Sequence, residues 1–102
     1  MNNKNSINIP KDIIGAFCKK HHIRRLSVFG SALRQDFRSD SDIDILVEFH
    51  QDYIPGLIKL AGIEIEFSNI LGRKVDLRTQ EDLSHYFRQE VLDSAEIQYA
   101  EI

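Results

Sequence analysis

The chain has 102 residues, of which 42% are hydrophobic and 28% charged, a composition typical of one small globular domain. Its formal net charge of −3 argues against a protein whose main task is to grip nucleic acid through the phosphates. The single cysteine, Cys18, excludes a disulfide framework, and no apolar run is long enough to cross a membrane. We therefore expect one cytoplasmic domain over residues 1–102, with residues 1–9 as a flexible N-terminus.

The first third of the chain predicts a helix, a short strand and a glycine turn. Pro10 suits the first turn of a helix, and apolar residues then recur at three-to-four spacing to about residue 21. Residues 26–29 predict a strand that ends at Gly30-Ser31. A brief helix over residues 32–37 would point the backbone N–H groups of Ser31 and Ala32 at an incoming anion.

An acidic pair opens the next predicted strand. Asp42 and Asp44 precede an apolar alternation that runs to Phe49. Because side chains two residues apart on a strand point to the same face, both carboxylates project together while the isoleucines enter the core. Carboxylate oxygens are the ligands that hard divalent cations such as Mg²⁺ prefer.

The remaining chain predicts a loop over residues 50–56, a helix over Leu57–Leu71 that Gly72 caps, and a strand over residues 74–78. A helix is expected to start near Thr79, and a final helix is expected to pack on the sheet through Phe87, Val91, Leu92 and Ala95. On the third strand, Asp76 faces away from the core, so it converges with the acidic pair if the two strands are neighbours. The order predicts an α+β fold, a small mixed sheet with helices packed on one side.

A phosphate-binding turn and a divalent-metal site are the chemistry that these residues suggest. Glycine at position 30 lets backbone approach a phosphate chain, and Arg34 stands one turn further on, where it can make a charge-assisted contact. Two Mg²⁺ ions in phosphoryl-transfer sites lie about 3.5–4 Å apart, a span that neighbouring carboxylates can bracket. An isolated Asp-x-Asp is common in turns, and the interpretation depends on the combination with the glycine turn and the third aspartate.

The motif from Gly30-Ser31 through ten intervening residues to Asp42-Ile43-Asp44 resembles the signature of the nucleotidyltransferase superfamily shared with DNA polymerase beta. The segments 71–77 and 86–92 are similar to those of minimal nucleotidyltransferases of bacteria and archaea. The resemblance implies the polymerase beta-like nucleotidyltransferase fold and a site that binds two Mg²⁺ ions, with ATP as nucleotide donor. It makes Asp42, Asp44 and Asp76 the catalytic metal ligands. It assigns the triphosphate to four residues, Gly30, Ser31, Arg34 and Ser41.

The resemblance also implies a partner. Many minimal nucleotidyltransferases are similar to the antitoxin of a two-gene pair whose toxin is a small helical HEPN-domain ribonuclease. The implied reaction transfers AMP from ATP to a tyrosine of the toxin and so inactivates it. Gln35 departs from the pattern, because many superfamily members have glycine there.

Two other functions stay open at this stage. The protein could neutralise its toxin by binding alone, or transfer a nucleotide to a small molecule, although no feature of the sequence predicts a small-molecule pocket. The oligomeric state is also open, as a homodimer or a hetero-oligomer with the toxin. Tyr86, Phe87 and Tyr99 are either core residues or part of a partner interface. The sequence also leaves open whether the loop over residues 50–56 contacts the substrate or is an ordinary exposed turn.

Overall fold

In the computed structural model, which describes residues 10–30 and 42–101, four strands form one mixed sheet in the order β3-β2-β1-β4. The strands are β1 (Ile23–Phe29), β2 (Ile43–Phe49), β3 (Val75–Arg78) and β4 (Glu96–Ala100). Strand β2 lies antiparallel to β1 and parallel to β3, and β4 pairs antiparallel with the other edge of β1. The described helices are α1 (Lys11–Lys20), α2 (Leu57–Leu71) and α3 (Arg88–Ser94), with 3-10 turns at Gln51–Tyr53 and Gln80–Asp82. The predicted α+β class with a small mixed sheet is confirmed.

The core lies between one face of the sheet and helices α1 and α2. Alternate residues of β2 supply its centre, since Ile43, Ile45 and Val47 are at most 1% exposed. Phe17 of α1 and Phe67 of α2 stack with their ring centroids 4.3 Å apart, which joins the two helices over the sheet. Cys18 is fully buried in this cluster, and its burial raises the pKa of the thiol to about 12. Cys18 is therefore a structural thiol.

Helix α2 has the bounds that the sequence predicts, and Gly72 ends it at a φ of 69°. Strand β1 begins at Ile23, earlier than predicted, because its first half pairs with the end of β2. Within the described ranges, no helix reaches the length and hydropathy that a membrane crossing requires. The predicted helix over residues 32–37 lies outside the described residues.

The C-terminal third differs most from its prediction. After Thr79 the chain forms only a 3-10 turn, which Thr79 and Asp82 close as a capping box, and α3 begins at Arg88. Strand β4, which the sequence analysis missed, follows α3 directly. It is an edge strand without a fully buried residue, so it lacks the apolar alternation that reveals β2.

The three C-terminal aromatics separate into two environments. Tyr99 packs against the core cluster from β4. Tyr86 and Phe87 are 88% and 59% exposed, so the prediction that the last helix packs on the sheet through Phe87 is wrong. Leu92 and Ala95 line a cavity together with Ser27 and Leu46.

Candidate active site

The turn after β1 brings the backbone against the carboxylate of Asp44. Phe29, the last residue of β1, pairs with Asp44, and Gly30 follows with a φ of 69°. A Cβ atom at Gly30 would overlap Oδ2 of Asp44. Glycine is therefore required here twice, once by the left-handed backbone and once by the close approach of a carboxylate.

Asp44 and Asp76 are partners in the parallel pairing of β2 with β3. Neighbouring strands are about 4.8 Å apart, so the two carboxylates start from adjacent backbone positions. Their sequence neighbours Ile43, Ile45 and Val75 enter the core, which leaves both aspartates half-buried on the opposite face. Asp42 directly precedes β2, and its side chain is 51% exposed.

Two cations lie beside these carboxylates. Nζ of Lys74 is 3.9 Å from Oδ2 of Asp42. Arg78 contacts Asp76 with two nitrogens: Nε lies 3.1 Å from Oδ1, and Nη2 donates to Oδ2 at 3.2 Å. These hydrogen bonds raise the pKa of Arg78.

Asp44 and Asp76 share one face of the sheet, but with Asp42 they do not form a complete ligand set. Over residues 10–30 and 42–101, no three His, Cys, Asp or Glu side chains are grouped so that they could hold a metal ion. The donor chemistry nevertheless fits Mg²⁺, because Asp44 and Asp76 offer hard anionic oxygens in register and Gly30 leaves room at Asp44. Loading a cation would require Asp42 and Asp76 to turn from Lys74 and Arg78.

Helix α2 holds the edge strand that carries Asp76. The N–H of Val75 donates to Oγ of Ser68 at 2.9 Å, and the N–H of Leu77 donates to Oε2 of Glu64 at 2.7 Å. Both donors belong to the outer edge of β3, beside which the described part of the chain places no further strand. The backbone on either side of Asp76 is thus held by side chains of one helix.

Replacing Glu64 with leucine is expected to lower the free energy of unfolding by about 1–3 kcal/mol, because it leaves the part-buried N–H of Leu77 without its acceptor. Glu64→Gln keeps an acceptor oxygen and should lose less than half as much. Urea unfolding of both variants measures the difference. Equal losses would show that the hydrogen bond is not what Glu64 contributes.

Of the predicted site residues, Ser31, Arg34 and Ser41 are outside the described residues. In the loop after β2, Tyr53 stacks on His22 with ring centroids 3.7 Å apart, at the end of the sheet away from Asp44. Glu48, on the same face as Asp44, accepts hydrogen bonds from Arg24 at 2.6 Å and from Gln80 at 3.3 Å, and so is occupied as a structural carboxylate.

Three residues of this region, Glu64, Lys74 and Arg78, were not predicted from the sequence. For Lys74 and Arg78 the signal was available, because each stands two residues from Asp76 and therefore on its face. For Glu64 the signal was a carboxylate within the apolar stripe of α2.

Comparison with known proteins gives the family. The sequence model of the nucleotidyltransferase domain family matches residues 10–97, and the chain belongs to that family. Its mixed four-stranded sheet with helices matches solved minimal nucleotidyltransferase structures, as the resemblance implied.

Individual relatives are similar over most of the chain. A protein of Thermococcus cleftensis named protein adenylyltransferase MntA is 39% identical over 70 residues, which are 69% of this chain and 69% of that protein. A crystal structure of a toxin–antitoxin with AMP-PNP superposes with a TM-score of 0.74 at 19% identity, covering 91% of this chain and 75% of the other. The structure of a tri-AMPylated Shewanella oneidensis HEPN toxin in complex with its MNT antitoxin matches with a TM-score of 0.65 at 19% identity, covering 89% and 70%. At these identities the two structures show a shared fold.

Proposed function

We propose that this protein is a Mg²⁺-dependent adenylyltransferase that transfers AMP from ATP to a tyrosine of a small helical HEPN-type ribonuclease toxin and so inactivates it. The observation that carries the proposal is that Asp44 and Asp76 are in register beside Gly30, a position at which even the methyl side chain of alanine would overlap the carboxylate of Asp44. Two half-buried carboxylates in register offer anionic oxygens from neighbouring strands to one place, which is the donor set that a hard divalent cation prefers. The proposed setting is the cytoplasm, which supplies ATP.

In this proposal Asp42, Asp44 and Asp76 hold two Mg²⁺ ions, and the turn at Gly30, with Ser31, Arg34 and Ser41, holds the triphosphate. Bound Mg²⁺ supplies charge neutralisation on the phosphates and lowers the pKa of a coordinated hydroxyl. Asp76 accepts the proton of the tyrosine hydroxyl, whose oxygen forms a bond to the α-phosphorus. The bond from that phosphorus to the β-phosphate oxygen breaks, and diphosphate leaves.

The acceptor is proposed to be a protein for two reasons. The relative from Thermococcus cleftensis is named as a protein adenylyltransferase, and the Shewanella oneidensis structure contains an AMPylated toxin. In addition, the side chains of Asp42 and Asp76 are 51% and 34% exposed, so the described residues leave the carboxylate face accessible to a large substrate. A protein partner can then complete the site itself.

The test uses the purified protein with its co-expressed toxin partner, ATP and Mg²⁺. We expect the intact mass of the toxin to rise by one or more AMP units, and its ribonuclease activity to fall in step. A parallel reaction with a chelator should leave the mass unchanged. A toxin that is inhibited without ATP and never gains mass would instead establish neutralisation by binding alone. Label that appears only on small molecules would establish a different acceptor.

A further inference from the structure

On the face of β3 that points away from the core, the guanidinium of Arg78 lies beside the carboxylate of Asp76. Asp76 and Arg78 are two residues apart on one strand and therefore share a face. The contacts of Nε with Oδ1 and of Nη2 with Oδ2 engage both carboxylate oxygens at once. This two-nitrogen, two-oxygen fork is the strongest geometry available to an arginine and a carboxylate.

Such a partner can act on metal binding in two opposite ways. A hydrogen-bond donor behind a ligand orients it, and its loss weakens metal binding about 10- to 100-fold. A cation that takes both oxygens instead competes with the metal ion, because the two positive charges repel across one carboxylate. The observed geometry favours competition, since the guanidinium charge lies against both oxygens of Asp76 and would repel a cation bound to either one.

The surroundings of Arg78 give the released side chain a place to go. Its side chain is 47% exposed, so it can move without disturbing the core. Glu64 and Asp82 line the same depression as Asp76 and Arg78. A guanidinium that leaves Asp76 therefore stays close to other carboxylates.

We propose that Arg78 is a positioning residue that occupies Asp76 in place of a divalent cation and releases it when the cation loads. This inference rests on the proposed role of Asp76 as a metal ligand. In the metal-free protein the fork holds the carboxylate on the site face and limits its repulsion with Asp44. The consequence is a lower affinity for free metal ions, which favours loading together with the nucleotide.

The test is a Mn²⁺ titration without nucleotide, followed by the electron paramagnetic resonance signal of free Mn²⁺. Arg78→Gln is expected to tighten Mn²⁺ binding about three- to tenfold, the range that loss of a partly exposed competing ion pair allows. In an Asp76→Asn background, Arg78→Gln should no longer change the affinity. Arg24→Gln is the matched control, because Arg24 is 49% exposed and pairs with Glu48, which is not a proposed ligand.

Weaker Mn²⁺ binding in Arg78→Gln would overturn the inference and make Arg78 a supporting partner of Asp76. Equal tightening in Arg24→Gln, or tightening that persists in the Asp76→Asn background, would reduce the effect to net charge and also overturn it. Failure of both the wild type and Arg78→Gln to bind Mn²⁺ would also overturn the inference, because removal of the competing guanidinium should allow binding. If Asp76→Asn does not weaken measurable Mn²⁺ binding, the proposed metal site itself fails, which separates the two results.

Discussion

Gly30→Ala is expected to lower the rate of AMP transfer at least about a hundredfold, because an ångström-scale displacement of a reacting group costs that much. The new Cβ atom would overlap Oδ2 of Asp44, so the carboxylate must rotate away or the turn must move. Either change alters the proposed ligand and the proposed phosphate turn together. Transfer kinetics on the toxin partner measure the loss.

Gly72 provides a matched control for this substitution. It has the same φ of 69° as Gly30, but a Cβ atom there would meet nothing within 4 Å. Gly72→Ala therefore reports the strain of a left-handed alanine alone, about 1–2 kcal/mol in the free energy of unfolding, with unchanged transfer. Similar activity losses in both variants would show that backbone strain, and not the contact with Asp44, explains the effect at Gly30.

Local sequence patterns were sufficient to predict an element where buried and exposed positions recur with the period of a strand or a helix. Strand β2 was predicted because Ile43, Ile45 and Val47 alternate with residues of the opposite face, two of which, Asp44 and Glu48, are charged. Helix α2 was predicted to the residue because an apolar stripe ends at a glycine that adopts a left-handed conformation. The faces of Asp44 and Asp76 followed from the same period of two.

Pairing between distant segments was not available from those patterns. Strand β4 joins β1 across the sequence, with Arg25 opposite Ala100, and its short edge-strand sequence gives no local sign of that partner. The adjacency of β2 and β3 could only be assumed, although the convergence of the acidic residues depends on it.

The polar contacts of the site likewise combine features that local patterns predict with features that depend on distant segments. The two-residue spacing of Asp76 and Arg78 puts them on one face, but whether the guanidinium turns back to the carboxylate depends on the neighbouring charges. The hydrogen bond from the N–H of Leu77 to Glu64 depends on where α2 crosses the edge of the sheet. Both contacts are consequences of tertiary packing, and local patterns in a single sequence do not predict them.

Asp44→Asn is expected to reduce AMP transfer about a thousandfold, the factor that corresponds to several kcal/mol of charge stabilisation by a bound metal ion. Asparagine preserves the size of the side chain but removes its negative charge and replaces one ligating oxygen with an NH2 group, which cannot ligate Mg²⁺. The free energy of unfolding should change by less than about 1 kcal/mol, because the substitution also removes a like charge opposite Asp76. Transfer kinetics and urea unfolding on the same preparation measure both quantities.

Glu48→Gln is the companion variant, since Glu48 lies on the same strand and the same face, four residues beyond Asp44. Its carboxylate is held by Arg24 and Gln80, so the loss of its charge should weaken a surface ion pair and leave transfer intact. An Asp44→Asn protein that retains a tenth of the wild-type rate would remove Asp44 from the ligand set. Parallel losses in both variants would mean that the negative field of the whole face matters, and that the register of Asp44 with Asp76 does not.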